Sequence, residues 1–368
     1  MTDTSRQPGQ PRLSVTIPTF NRAIYLAELL ECLLPQISGS PAGTVELLIS
    51  DNCSDDGTQQ LIADFQSRGL LCRYVRNAQN LGADANFLQC LNLATGQYVW
   101  VLGDDDLLVP NAIPDLISLL SQGEFDMVFL SCFGFSGDLN LSSPNTQVRG
   151  DQTDRLGRYA EVVTDGVYFI GKVNALIGLI SANIINKNRL MATPHPPIES
   201  LNRTNLLQVG WLFPLLHERV SVLYLWKRLV AYRSFNSGGW GICEVFGVGL
   251  SRIAGKYFAT EPRLARALMN NVLQHWMLNE MMNIRRGNHG GMNQENFANA
   301  VRHVFSGNWR YWVFVHPVAT LPMPAAEAVF FVLNAINRAS RILHGVLRHL
   351  FRHGKYLQPQ PASPSGPS

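Results

Sequence analysis

Over residues 13–131 the chain alternates short β-branched apolar runs with stretches of helical apolar spacing. Leu13–Ile17, Val45–Ser50, Cys72–Arg76, Tyr98–Leu102 and Phe125–Ser131 read as strands, and Pro18 is expected to stop the first. Ala23–Leu34, Gln59–Gln66, Ala85–Ala94 and Pro110–Leu120 carry helical spacing between them. Such alternation predicts βαβ units and an α/β, Rossmann-like, mainly parallel sheet. Ligands of these sheets bind outside the carboxyl ends of the strands. The polar clusters after Ile17, after Ser50 and after Leu102 are therefore expected to converge on one crevice.

Beyond residue 132 the pattern loosens. Gly134–Asp154 is a polar loop, Val173–Ile185 is apolar, and Thr193–Asn205 is a Pro-rich loop expected over the crevice. Leu206–Leu216 reads as a helix and Val220–Leu225 as a strand. Phe235–Gly241 reads as a mobile loop with an aromatic, Trp240, at its tip, suited to stacking on a ligand or to buried packing. From Phe246 the chain is helical to Arg352, broken around Pro317, Pro322 and Pro324. The expected organisation is a disordered lead (1–12), a main domain (13–245), a helical extension (246–355) and a disordered tail (356–368).

Hydrophobic residues make up 46% and charged residues 15%, which supports a sizeable core. A formal charge of +3 is too small to indicate nucleic acid as the main partner. Six scattered cysteines without a CxxC pair fit a reducing compartment better than a zinc site or a disulfide framework. No apolar leader follows the polar N-terminus, and no run reaches the ~18 apolar residues of a spanning helix. A cytoplasmic location is expected. Charge is unevenly spread, however, because no acidic residue follows Glu327. Within 325–355, Val332, Leu333, Ile336, Leu343, Val346, Leu347, Leu350 and Phe351 recur at helical spacing. They oppose Arg338, Arg341, Arg348, Arg352 and Lys355. A basic amphipathic helix suits either an anionic membrane surface, here the inner face of the cytoplasmic membrane, or packing on the domain with its basic face solvated.

The stretch VWVLGDDDLLVP ends an apolar strand in Asp104, Asp105 and Asp106. Adjacent carboxylates repel and lose hydration at a strand end. A hard divalent cation, Mg²⁺ or Mn²⁺, resolves both costs and also holds substrate phosphates. Thr19, Phe20, Asn21 and Arg22 follow the first strand, where a hydroxyl, an aromatic and an amide can read a base and a ribose. Asp51 and Asn52 close the second strand, where a carboxylate accepts from a pyrimidine imide or ribose hydroxyls. Gly82 and Asp84 precede a helix whose N-terminus can face an anion.

SVTIPTFNR, ISDNCSDDGT, NLGADANF and YVWVLGDDDLL resemble, in this order, the signatures of inverting family-two glycosyltransferases with the GT-A fold. The wording is similar to the abequosyltransferase-like subset of surface-polysaccharide enzymes. The resemblance implies a nucleotide-sugar donor, with Asp51 at its base or ribose. It also implies a divalent ion on the diphosphate and a lipid-linked or polysaccharide acceptor. The usual Asp-x-Asp reads Gly-Asp-Asp-Asp here. Its first acid falls on Gly103, which leaves Asp105 as metal ligand, Asp106 assisting, and Asp104 near the ribose or a metal water.

The family's Glu-Asp pair, expected to supply the base, is absent from NLLQVGWLFPLL. Glu199 is the first candidate for that role, ahead of His195, Glu218 and Glu244. A degenerate relative that only binds nucleotide-sugar or glycan as an assembly partner is the alternative. A nucleotidyltransferase would want a Gly-rich basic phosphate loop, and TIPTFNRAIY offers only Arg22.

Overall fold

The computed structural model describes residues 7–137, 139, 157–234, 241, 243–287, 297–351 and 355–360. Trp240 and most of the 134–154 loop lie outside them. The first half forms β1 (Leu13–Thr19), α1 (Ala23–Ser38), β2 (Val45–Asp51), α2 (Thr58–Ser67), β3 (Arg73–Arg76), α3 (Ala83–Leu93) and β4 (Tyr98–Val101). Then come β5 (Leu107–Leu108), α4 (Ala112–Leu120), β6 (Met127–Phe135), β7 (Ala160–Asp165), β8 (Asn183–Asn186), β9 (Arg219–Arg233) and β10 (Lys355–Leu357). One sheet runs β10-β7-β9-β6-β8-β4-β1-β2-β3, with β5 paired to β9. β3, β2, β1 and β4 are parallel, as the βαβ pattern predicts. β8 joins both β4 and β6 antiparallel and so carries the sheet into its second half.

Strand alternation supplies two cores. Leu13, Val15, Ile17, Tyr98 and Trp100 pack under α1 and α4. Val99, Val101, Met127 and Phe129 point to the other face. They share one continuous core with Phe169, Leu206, Trp211 and residues of the helical extension such as Leu264, Leu268 and Met281. The extension is thus packed on the sheet. Among the described residues no helix is long and apolar enough to cross a membrane. All six cysteines are free.

Several elements differ from their expected form. Pro18 does not end β1 but pairs with Ser50 of β2. β4 pairing stops at Thr16↔Val101, so the N–H that proline lacks is not required by that neighbour. Leu206–Leu216 is not one helix. It folds as a single α-turn, Val209–Leu212, followed by a 3-10 turn, Phe213–Leu215, because Pro214 cannot continue the α ladder. β9 is far longer than Val220–Leu225, since it pairs with β5, β6 and β7. The chain also stays ordered past 355: β10 pairs with β7, and Gln360 donates its N–H to Ser118 Oγ at 2.7 Å.

The long helix spans Met323–Phe351, and its faces differ from the expected pair. Leu333, assigned with Val332 and Ile336 to one greasy face, turns inward with Ala326 and Asn337, while Val332 and Ile336 are exposed. Asn337 exchanges hydrogen bonds with Gln274, at 3.0 and 2.9 Å. Beside them, burial and then the Arg341 and Arg310 cations push His275 down from 6.5 to about 4. The folded chain therefore binds fewer protons than the unfolded chain between these values. Stability that is complete above 6.5 is lost as pH falls through that window. His275→Gln should accordingly lose less Tm than the parent between roughly pH 7 and pH 5. Equal losses in both proteins would refute a neutral, strained His275.

Candidate active site

The carboxyl ends of β1, β2 and β4 meet, as the switch-point rule requires. Thr19 ends β1 in register with Asp51, which ends β2. Thr19 Oγ1 donates to Asp104 Oδ2 across 2.8 Å. Two polar clusters far apart in sequence are thereby in direct contact.

The acidic run sits between two arginines. Arg22, at the start of α1, reaches Asp104 Oδ1 at 2.9 Å and Asp105 Oδ2 at 3.3 Å. Arg233, at the end of β9, donates its N–H to Asp106 Oδ1 at 3.1 Å and its Nε–H to the Asp105 carbonyl at 3.3 Å. Its guanidinium also pairs with Glu28 at 2.5 Å and lies over the rings of Tyr25 and Phe135. Ser181 Oγ accepts from the Gly103 N–H at 2.9 Å and bonds Asp106. Gly103 is closely surrounded. A Cβ there would stand 3.1 Å from Asp106 Oδ2 and 3.3 Å from both Asp105 Oδ1 and Ser181 Oγ, so a side chain would require these groups to shift.

Burial dominates the titration of this run. It pushes Asp104 up to about 6 against the opposing pull of Arg22. Desolvation, and then the Asp105 charge, push Asp106 up to about 7. Asp105 is the more exposed of the three, so its oxygens are the ones a ligand can reach. The donors are all carboxylate oxygens, which suits a hard divalent ion. Among the described residues no three His, Cys, Asp or Glu side chains surround one cation position. The fit is to an ion held by one or two protein oxygens and completed by substrate phosphates.

Asp51 is fully buried and accepts from Ser54 N–H at 2.8 Å and Tyr74 Oη at 2.5 Å, with Arg76 Nε at 3.6 Å. Desolvation and Asp51 raise the Tyr74 phenol, which keeps it a donor. Asn21 adopts φ 51° and ties the β1 loop to the β2 loop. Its N–H donates to Ser54 Oγ, and its Oδ1 accepts from Asp55 N–H, both at 2.9 Å. Phe20 is exposed beside it. Asn52 Oδ1 accepts from Leu81 N–H at 2.9 Å, and its Nδ2 donates to Asn80 Oδ1 at 2.7 Å. That bond fixes the turn at Gly82, whose φ of 87° favours glycine.

Gly82 and Asp84 line a cavity of about 580 Å³ with Asn80, Asn202, Arg203 and Asn205. Asp84 accepts the Asn205 N–H at 3.2 Å and further backbone N–H groups at Arg203 and Thr204. Burial outweighs these donors and raises its pKa. Arg203 and Asn205 hold φ of 65° and 56°, so this carboxylate organises a strained loop as well as facing the cavity. Glu199 is exposed on the 3-10 turn Ile198–Leu201, which leads into that cavity wall. His195 turns Nδ1 to the neighbouring Pro196 carbonyl. Glu218 pairs with Arg263, and Glu244 is exposed at the start of a π-helical turn.

Arg233, Ser181, Tyr74 and Arg76 were not found by sequence reasoning. Tyr74 and Arg76 carried one usable signal, two polar side chains with a spacing of two on a strand beside β2. Arg233 and Ser181 carried none, because only the folded sheet brings β9 and the 180–182 turn to Gly103.

Residues 14–178 match the family model described as glycosyl transferase family 2. Abequosyltransferase RfbV of Salmonella typhimurium is 39% identical over 111 residues, 30% of this chain and 33% of that protein. The GalNAc(5)-diNAcBac-PP-undecaprenol beta-1,3-glucosyltransferase of Campylobacter jejuni is 33% identical over 124 residues, 33% of this chain and 38% of that protein. The chain thus aligns with little more than a third of these relatives' length. Among solved structures, residues 1–349 of Staphylococcus aureus TarS in complex with UDP-GlcNAc superpose with a TM-score of 0.56 at 16% identity. That superposition covers 89% of this chain and 92% of that one. Residues 14–178 are thus similar to glycosyl transferase family 2, and the fold is that of the TarS glycosyltransferase structure.

Proposed function

We propose that the protein transfers a sugar, with inversion, from a nucleotide-sugar donor to a hydroxyl of a lipid-linked or polysaccharide acceptor in surface-glycan synthesis. The observation that carries this reading is the contact of Thr19 with Asp104, which joins the Asp51 end of the crevice to the acidic run. Asp51 and Asn52 with Thr19, Phe20 and Asn21 suit a base and ribose. Arg22 and Asp104–Asp106 suit the diphosphate. The relatives support the class: one is an abequosyltransferase, and another acts on an undecaprenol-linked saccharide.

Asp105, assisted by Asp106, would hold a divalent ion that offsets the charge growing on the leaving diphosphate. Arg22 would then exchange Asp105 for a phosphate oxygen while keeping its bond to Asp104. The cavity beside Gly82 and Asp84 suits the sugar and the incoming hydroxyl. Glu199, on the turn bordering it, is the proposed base that takes the hydroxyl proton during attack on the anomeric carbon.

Asp105→Ala should keep its fold and lower nucleoside diphosphate release by about two to three orders of magnitude with Mn²⁺ present. Unchanged release would remove the acidic run from the chemistry. Glu199→Gln should lower kcat by about 10²-fold or more with donor KM unchanged. A variant as active as its parent would move the base to another group of the cavity wall. Arg22→Ala leaves two carboxylates without their cation, so Mn²⁺ should raise its Tm more than it raises the parent's. An equal shift in both proteins would place the ion elsewhere.

A further inference from the structure

A helix packed on a domain normally turns a polar face to solvent. The Met323–Phe351 helix does not. Its inward face, with Ala326, Leu333 and Asn337, is buried against the helical extension. Its outward face is also apolar: Phe331 is 76% exposed, Val332 55%, Ile336 53% and Ile342 47%. The exposed residues 328, 335 and 339 are alanines at the same helical spacing, so the stripe is unbroken by charge.

Arg338 and Arg341 are exposed and flank this stripe, and the sequence continues their spacing with Arg348 and Arg352. Glu327 is the sole acid of the helix, at its first turns, where it meets Arg286 at 3.3 Å. Its start packs on the helices Leu278–Arg285 and His316–Thr320, and its inward residues Ala326, Leu333 and Asn337 are buried, which leaves the stripe turned outward.

We propose that this stripe docks the protein on an anionic lipid surface. The apolar side chains would enter the boundary between headgroups and acyl chains, and the arginine ridge would meet anionic headgroups. Charge selects this occupant over a second copy of the chain. A two-fold contact through the stripe would set arginine ridge near arginine ridge, with no carboxylate beyond Glu327 to offset them. The inference adds a surface to the lipid-linked acceptor reading. Its test uses vesicles without saccharide, so it stands or falls separately from the transfer activity.

The full chain should co-sediment with phosphatidylglycerol-containing vesicles, bind pure phosphatidylcholine poorly, and release at high salt. Phe331→Ser with Ile336→Ser should lower partitioning onto the anionic vesicles by at least ~10-fold. Arg338→Gln with Arg341→Gln, which leaves the apolar stripe intact and guards against a folding artefact, should lower it by about 10-fold and abolish the salt dependence that these residues supply. Three results would overturn the proposal. They are a parent chain that stays in solution with either vesicle, binding that neither pair of substitutions changes, and a stripe substitution whose effect is to dissociate a dimer.

Discussion

Three consecutive carboxylates at the end of a buried strand carry a large desolvation cost, and distant segments converge to offset it. Arg22 brings a cation from the start of α1, and Arg233, at the far end of β9, brings a backbone N–H. Their positions dictate much else. The β1 loop must turn sharply at Asn21 to send Arg22 back over the acidic run. β9 must run long enough to bring Arg233 alongside Asp106. Ser181 and two aspartates crowd close around Gly103. The raised pKa values of Asp104 and Asp106 show that compensation is incomplete: desolvation outweighs Arg22 at Asp104, and outweighs the hydrogen bonds of Ser181 and the Arg233 N–H at Asp106. A site in that condition has free energy to gain from a more concentrated positive charge.

The parallel half of the sheet was legible from the chain because each strand and helix there follows its local pattern. Leu13, Val15 and Ile17 alternate with Ser14 and Thr16, and the α1 leucines recur every three or four residues. Thr19, Asp51 and Asp104 could be grouped for a topological reason: in a parallel sheet, strand ends share one edge. What could not be read is what depends on long-range pairing. Pro18 looks like a terminator locally and is tolerated because β4 has already ended at that level. Arg233 and Ser181 reach the acidic run through antiparallel strands and turns that no local period announces. Leu333 and Val332 are neighbours in any amphipathic reading, yet packing sends one inward and the other outward.

The helical extension and the sheet share one apolar core, so the crevice and the long helix are parts of one packed body. A core of this kind transmits orientation. The long helix is positioned by the helices Leu278–Arg285 and His316–Thr320 that it packs on, as well as by its own residues. The strained loop at Arg203 and Asn205 belongs to the same body, held from below by Asp84.

β10 has a consequence of its own. An open sheet has two rims, each a row of unpaired backbone groups that another chain can extend. On one rim β3 is only four residues long and begins and ends with arginine, which discourages such growth. On the other, β7 is longer and would offer a better template, but Lys355–Leu357 already lies across part of it. These three residues thus guard part of β7 against intermolecular strand addition. Their loss would change the protein's tendency to self-associate before it touched any ligand.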